Sequence, residues 1–384
     1  MTMVSGAWLA NPQTQAVCAM LTDAGYQALF VGGCVRNALI GTPVNDIDIA
    51  TDALPETVVD LARKAGLHPI PTGIDHGTIT VVSDHIPHEI TTFRKDVETD
   101  GRRAVVAFSS DVNDDAHRRD FTMNAIYAHP DGTIVDPLNG MADLGARRVR
   151  FIDDADLRIR EDFLRILRFF RFHAWYGDPE SGMDADALAA IAENCGGLET
   201  LSKERVGAEM LKLLTAPDPA PSVAVMRGTG VLNVVLPGAD DRALGPLVYW
   251  EEQACKAPDA IRRLSALGGT EVDQALRLSK KQSKLLALLS QAIGSMLPLH
   301  EVAYRHGEDV AWSVGLLRAA VLEMPVDPKL EEDIALGVIA VFPVRPSDLQ
   351  PELQGPALGA RLRQLENEWI ASRFSLTRKA LLAL

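Results

Sequence analysis

At 384 residues the chain is longer than one ordinary small core needs, so a compact catalytic domain followed by one or two others is expected. A formal net charge of −14 excludes a protein coated in basic patches. No run approaches the ~20 apolar residues of a membrane span, and no charged-then-apolar signal opens the chain, so the soluble cytoplasm is expected.

Residues 12–24 have helical spacing and stop at Gly25, and residues 26–31 form a short apolar strand. Gly32-Gly33 is a turn, followed by a helix over 35–40 that ends at Gly41. Residues 45–50 (NDIDIA) alternate polar and apolar, which turns Asp46 and Asp48 to one face of a strand. Pro55 suits the first turn of a helix over 55–65, and β runs follow at 77–83 and 88–93. The sheet should be mixed. Residues 94–118, rich in charge apart from the apolar run 104–108, read as a mobile loop. Beyond residue 153, the stretches 156–176, 184–194, 201–215 and 218–228 repeat apolar residues at three and four, so helices dominate. The expected division is a catalytic head over 1–150, a helical neck over 151–215, and a helical body and tail over 216–384.

Cys18, Cys34, Cys195 and Cys255 lack Cys-x-x-Cys spacing, which argues against a zinc site and leaves small buried side chains. The acidic balance is not uniform: residues 147–171 hold eight arginines against five acids, and Arg277, Lys280, Lys281 and Lys284 form a second basic cluster. Such confined stripes bind RNA with salt-sensitive affinity.

Transfer of a phosphoryl group to a hydroxyl needs divalent cations, and hard Mg²⁺ takes carboxylate oxygens. Asp46 and Asp48 supply two, and Glu89 in HEITTF is the candidate third. A bare Asp-x-Asp is also common at turns and strand ends for structural reasons. Gly32-Gly33 lets backbone approach a ligand, with Arg36 one turn into the next helix as a charged clamp, although an ordinary strand-to-helix turn has the same pattern. The combination is more specific than either part: Asp-x-Asp begins 13 residues after Gly33.

Taken in order, VGGCVRNALIGTPVNDIDIAT, PTGIDHGTITV, RRDFTMNAIYA, DPLNGMADL and REDFLRILRFFRF resemble the successive signatures of the class II CCA-adding enzyme and bacterial poly(A) polymerase family. The resemblance covers roughly residues 29–171, with weaker matches at ERVGAEMLKLL and GPALGARLRQLENEWIASRF. It implies an α+β protein: a polymerase-β-like nucleotidyltransferase head with a mixed sheet, then all-helical neck, body and tail. It further implies that Gly33, with Gly32, and Arg36 contact the incoming triphosphate, that Asp46 and Asp48 ligate Mg²⁺, that Arg119 with Arg118 touches phosphate, and that Asn124 touches ribose. From the residues alone, RRDFTMNA also reads as a helix start capped by Asp120, with both arginines solvated.

Asp162 and Arg165, one turn apart on a helix, read either as an exposed ion pair or as a base reader. A carboxylate accepts from the exocyclic amine of cytosine or adenine, a guanidinium donates to the neighbouring ring acceptor, and uracil and guanine present a carbonyl instead. The resemblance implies the second, with Arg168 and Arg171 assisting. Asn37 departs from the family's usual Asp and suggests a structural role, and no His-Asp dipeptide of a phosphohydrolase domain occurs. The expected activity is addition of C and A from CTP and ATP to the 3′ end of tRNA. A poly(A) polymerase, a CC-only or A-only enzyme, and a non-catalytic RNA-binding module are the alternatives.

Overall fold

The structure, a computed structural model, describes residues 3–74, 77–100, 103–350 and 352–384. By its contacts the chain divides into two units, Met1–Leu213 with Pro221–Val235 and Leu214–Ala220 with Leu236–Leu384.

The first unit opens with α1 (Ala7–Ala10) and α2 (Pro12–Thr22). Asn11 caps α2 by accepting from the Gln13 N–H at 2.9 Å, and Pro12 sits where its missing N–H costs nothing. Then come β1 (Leu29–Val31), α3 (Gly33–Leu39), β2 (Asp48–Thr51), α4 (Pro55–Lys64), β3 (His68–Gly73), β4 (Thr78–Ser83) and β5 (Ile86–Thr92). β1 and β2 each begin three residues later than the sequence pattern predicts, so Asp46 precedes its strand rather than lying within it.

The loop expected over 94–118 is overturned. β6 (Arg94–Asp100) and β7 (Arg103–Phe108) pair antiparallel in their own two-stranded sheet, and α5 (Val112–His117) follows. Charge-rich composition hides such a ribbon, because its polar residues mask the apolar alternation by which strands are read. The β-branched Val105-Val106 was its local signal. β8 (Tyr127–Ala128) and β9 (Ile134–Val135) complete a seven-stranded sheet of order β3-β4-β5-β2-β1-β8-β9. β2 and β5 run parallel while every other neighbouring pair is antiparallel, so the sheet is mixed.

After α6 (Gly140–Gly145), the single helix expected over 156–176 is two: α7 (Ala155–Glu161) and α8 (Leu164–Tyr176). The chain extends at Asp162 (φ −153°, ψ 104°), whose Oδ1 accepts from the Leu164 N–H at 3.1 Å. This break lays the Phe163 ring against Gly197, where any Cβ would collide with it. Beyond it, α8 buries Phe169, Phe170 and Phe172, and Phe169 stacks on Phe151 at 5.5 Å. α9 (Ala185–Asn194) and α10 (Lys203–Leu214) follow.

The second unit is helical among its described residues. Glu251 is buried between Arg262 and Arg263, and Arg263 also donates to the carbonyls of Leu214 and Ala216, so each charge in this interior is partnered. A further core gathers Leu365, Trp369 and Ile370 around Tyr304 and Phe374. Among the described residues no helix is long and apolar enough to cross a membrane. Cys18 and Cys34 are buried as expected, whereas Cys255 is exposed in a turn of positive φ.

Candidate active site

Gly32 joins β1 to α3 at φ +71°, a conformation that L side chains rarely adopt. A Cβ there would stand 3.7 Å from Arg119 Nη1 and 3.9 Å from the Asn124 carbonyl oxygen, so the turn faces both. Arg36, one turn into α3, is only 6% exposed. Its Nη1 donates to Asn124 Oδ1 at 2.5 Å, its Nη2 to Tyr176 Oη and Asn37 Oδ1 at 2.9 Å each, and its guanidinium lies 4.0 Å from the Tyr176 ring centre. Each of these hydrogen-bond partners is neutral, and burial lowers its pKa from the usual guanidinium value against the opposing pull of Tyr176 and the Asp120 charge. Arg36 is therefore a desolvated cation that an anionic ligand would stabilise. Asn37 braces this turn by donating to the Pro43 carbonyl at 3.0 Å while accepting from Arg36.

Across the parallel β2–β5 pair, Asp48 is in register with Glu89, and exposed Asp46 lies just ahead of β2. Burial, then the charges of Glu89 and Asp46, push the Asp48 carboxyl up to about 6, against an opposing pull from Arg119. Like charges held together in this way suit a divalent cation. Among the described residues no group of three His, Cys, Asp or Glu side chains is arranged to hold a metal by itself. The donor set is instead hard and open, which fits a small cation that completes its shell with phosphate oxygens and water.

Arg118 and Arg119 are not solvated. Both grip the buried Asp115, at 2.7 Å and 2.9 Å, and Tyr127 Oη donates to the same carboxylate at 2.8 Å. Burial alone would raise the Asp115 pKa, but the charges of Arg119 and Arg118 outweigh it and hold the group down to about 2. Asp120 does not cap a helix. Its Oδ1 accepts from Asn124 Nδ2 at 2.9 Å and its Oδ2 from Arg168 at 2.5 Å, which fixes the amide that meets Arg36. Asp115, Tyr127 and Tyr176 escaped the sequence reading. Asp115 stands three and four residues before the two arginines, a helical ion-pair spacing masked by the loop expectation.

The expectation that Asp162 and Arg165 share one helix face does not hold, because Asp162 lies in the break. Its Oδ2 accepts from Arg205 Nη2 on α10 at 2.6 Å. Arg165 donates to Glu161 at 2.5 Å and to the Arg158 and Arg118 carbonyls at 2.8 and 3.1 Å. Arg158 likewise holds the Arg119 carbonyl at 2.7 Å, so the α7–α8 break is tied to the backbone of the arginine pair. Arg168 and Arg171 converge on buried Glu209 of α10, at 4.0 and 2.6 Å.

Residues 28–150 match the family model described as the poly A polymerase head domain, and residues 182–242 match the probable RNA and SrmB- binding site of polymerase A. Over 376 residues the chain is 31% identical to CCA tRNA nucleotidyltransferase 1, mitochondrial, of Danio rerio, spanning 93% of this chain and 86% of that protein. The chain belongs to the CCA-adding enzyme family. Another CCA-adding enzyme, from Geobacillus thermodenitrificans, is 34% identical over 333 residues, 83% of this chain and 80% of the relative. The crystal structure of the Bacillus stearothermophilus CCA-adding enzyme in complex with CTP matches with a TM-score of 0.70 at 28% identity, covering 94% of each chain. Like other CCA-adding enzymes, the chain is a nucleotidyltransferase with a polymerase-β-like head followed by helices.

Proposed function

We propose that this chain completes the 3′ end of tRNA in the cytoplasm, adding C from CTP and A from ATP without a nucleic-acid template and releasing pyrophosphate at each step. What carries the reading is the convergence on Arg119 and Asn124 of the Gly32 turn, Arg36 and the Asp48–Glu89 pair. Asp46 and Asp48 would hold Mg²⁺, with Glu89 as the third carboxylate. When bound there, the cation supplies positive charge to the triphosphate and to the attacking oxygen.

The chain's own residues do the rest. Gly32 and Gly33 let the backbone approach the triphosphate, Arg36 offsets its charge, and Arg119 with Arg118 contacts phosphate from the other side. Asn124, its amide fixed by Asp120 and Arg36, meets the ribose. Asp162 and Arg165 read the base, rejecting uracil and guanine because their carbonyls oppose the Asp162 oxygens, and Arg168 and Arg171 support the reader. We assign the head to residues 1–150 and the neck to 151–215. The body and tail, 216–384, hold the acceptor arm by shape and phosphate contacts.

The test is incubation of the purified protein with Mg²⁺, each labelled nucleotide and tRNA lacking its 3′ end. C, C and A in order, followed by a stop, is the expected product, and incorporation of neither C nor A overturns the reading. A long A tract would make it a poly(A) polymerase, the activity for which the matched head model is named. CC alone or A alone would make it a specialist.

A further inference from the structure

No helix orients the Asp162 side chain, because its backbone is extended between α7 and α8. Two contacts do so instead. Oδ1 accepts from the Leu164 N–H, a local turn open to any aspartate two residues before a helix. Oδ2 accepts from Arg205 Nη2 at 2.6 Å, a contact that spans 43 residues of chain.

We infer that Arg205 is a specificity-determining positioning residue: it pins the Asp162 carboxylate in the orientation in which it accepts from a base amine. The inference rests on the proposed reading of Asp162. Each carboxylate oxygen offers two acceptor positions, so the bond to Arg205 leaves Oδ2 able to accept another. The two side chains are 31% and 38% exposed, which leaves the pair open to a base-sized ligand. While pinned, the carboxylate presents only acceptors at a fixed place. A uracil or guanine carbonyl brought there meets repulsion that the side chain cannot escape. Without Arg205, Asp162 can rotate about χ1 and χ2, which relieves that repulsion and also withdraws the acceptor from cytosine and adenine.

A second observation points to the same helix. α10 also carries Glu209, the partner of Arg171 and Arg168, so it supplies counter-ions to both ends of the reading segment: a cation to Asp162 and an anion to the arginines. The orientation of the reader is thus set from α10 as well as by the first turn of α8.

The experiment uses the full chain and tRNA lacking its 3′ end, and measures kcat/KM for CTP and for UTP separately. Arg205→Ala should lower the CTP:UTP ratio by about tenfold, the scale of one charged hydrogen bond, with tRNA affinity unchanged. Arg205→Lys, which keeps the charge, should retain more of the ratio than Arg205→Ala. In an Asp162→Ala background, Arg205→Ala should change the ratio no further. Equal loss with both nucleotides overturns the inference, as does a lysine variant indistinguishable from alanine. If Arg205→Ala does not fold, Arg205→Gln carries the same comparison. If Asp162→Ala itself leaves the ratio intact, base reading by Asp162 fails; if it collapses the ratio while Arg205→Ala does not, the role of Arg205 alone fails.

Discussion

At the proposed triphosphate end of the nucleotide site, Arg36 is buried with only neutral hydrogen-bond partners and Asp48 is half-buried beside Glu89 and Asp46; at the proposed base-reading end, Asp162, Arg165, Arg168 and Arg171 each already hold an ion-pair partner. Asp120 attracts Arg36 and Arg119 attracts Asp48 without a direct ion pair, and a desolvated charge so weakly compensated costs stability that a ligand of opposite sign offsets. In the proposed reading a triphosphate would do so for Arg36 and a divalent cation for Asp48. The base-reading end has no such deficit. Its proposed task is geometric, and ion pairs suit geometry because they hold side chains in place.

The largest effect tests the unbalanced end. Asp48→Asn should reduce nucleotide incorporation by at least about 100-fold in single-turnover assays. In EDTA, its thermal midpoint should be no lower than that of the parent, because the change removes a carboxyl whose charged form is disfavoured by burial and by Glu89 and Asp46. A lower midpoint in EDTA would mark Asp48 as an ordinary structural carboxylate and end the contrast. Arg36→Met should lower kcat/KM for CTP and ATP alike by about 30-fold, since the triphosphate is common to both. Unequal loss would place Arg36 in base selection instead.

The unbalanced end was also the more legible one. Gly32-Gly33, Arg36 and the Asp46/Asp48 pair lie within 17 consecutive residues, and turn and strand chemistry act over such distances. The mixed sheet followed once short strands alternated with helices. The partners that fix these residues lie far along the chain: Tyr176 is 140 residues from Arg36, Asn124 is 88 from it, and Arg205 is 43 from Asp162. Hydrophobic periodicity is blind to such pairs. It also ran through the break at Asp162, since the apolar spacing of α7 continues into α8 while the interruption comes from the extended backbone of Asp162, its local hydrogen bond from the Leu164 N–H and the fit of Phe163 on Gly197.

Asp115 offers a pH-dependent test of the compensated kind of charge, because Arg118 and Arg119 both rest on it. Its pKa is held near 2, below its ordinary 3.8, so its ionic contribution to stability is fully present above 3.8 and is lost as pH falls from there towards 2. Asp115→Asn should cost about 3 kcal/mol in denaturant unfolding at pH 7. The difference between parent and variant should narrow below pH 3.8. A gap unchanged by acid would assign the cost to lost packing rather than to charge.

The smallest expected effect is at Tyr176, where α8 reaches Arg36, the proposed triphosphate clamp. Its hydroxyl accepts from Arg36 Nη2 at 2.9 Å, and its ring lies 4.0 Å beneath the guanidinium. Tyr176→Phe removes the acceptor and keeps the ring, so KM for the nucleotide should rise about threefold with less change in kcat. Tyr176→Ala removes both supports and should raise KM about tenfold. Either change should act equally on CTP and UTP, because in the proposed reading it loosens a group that meets the triphosphate and leaves base reading by Asp162 and Arg165 untouched. If Tyr176→Ala instead altered the CTP:UTP ratio as Arg205→Ala should, the two ends of the site would be one coupled device joined through α8, and the contrast between them would dissolve.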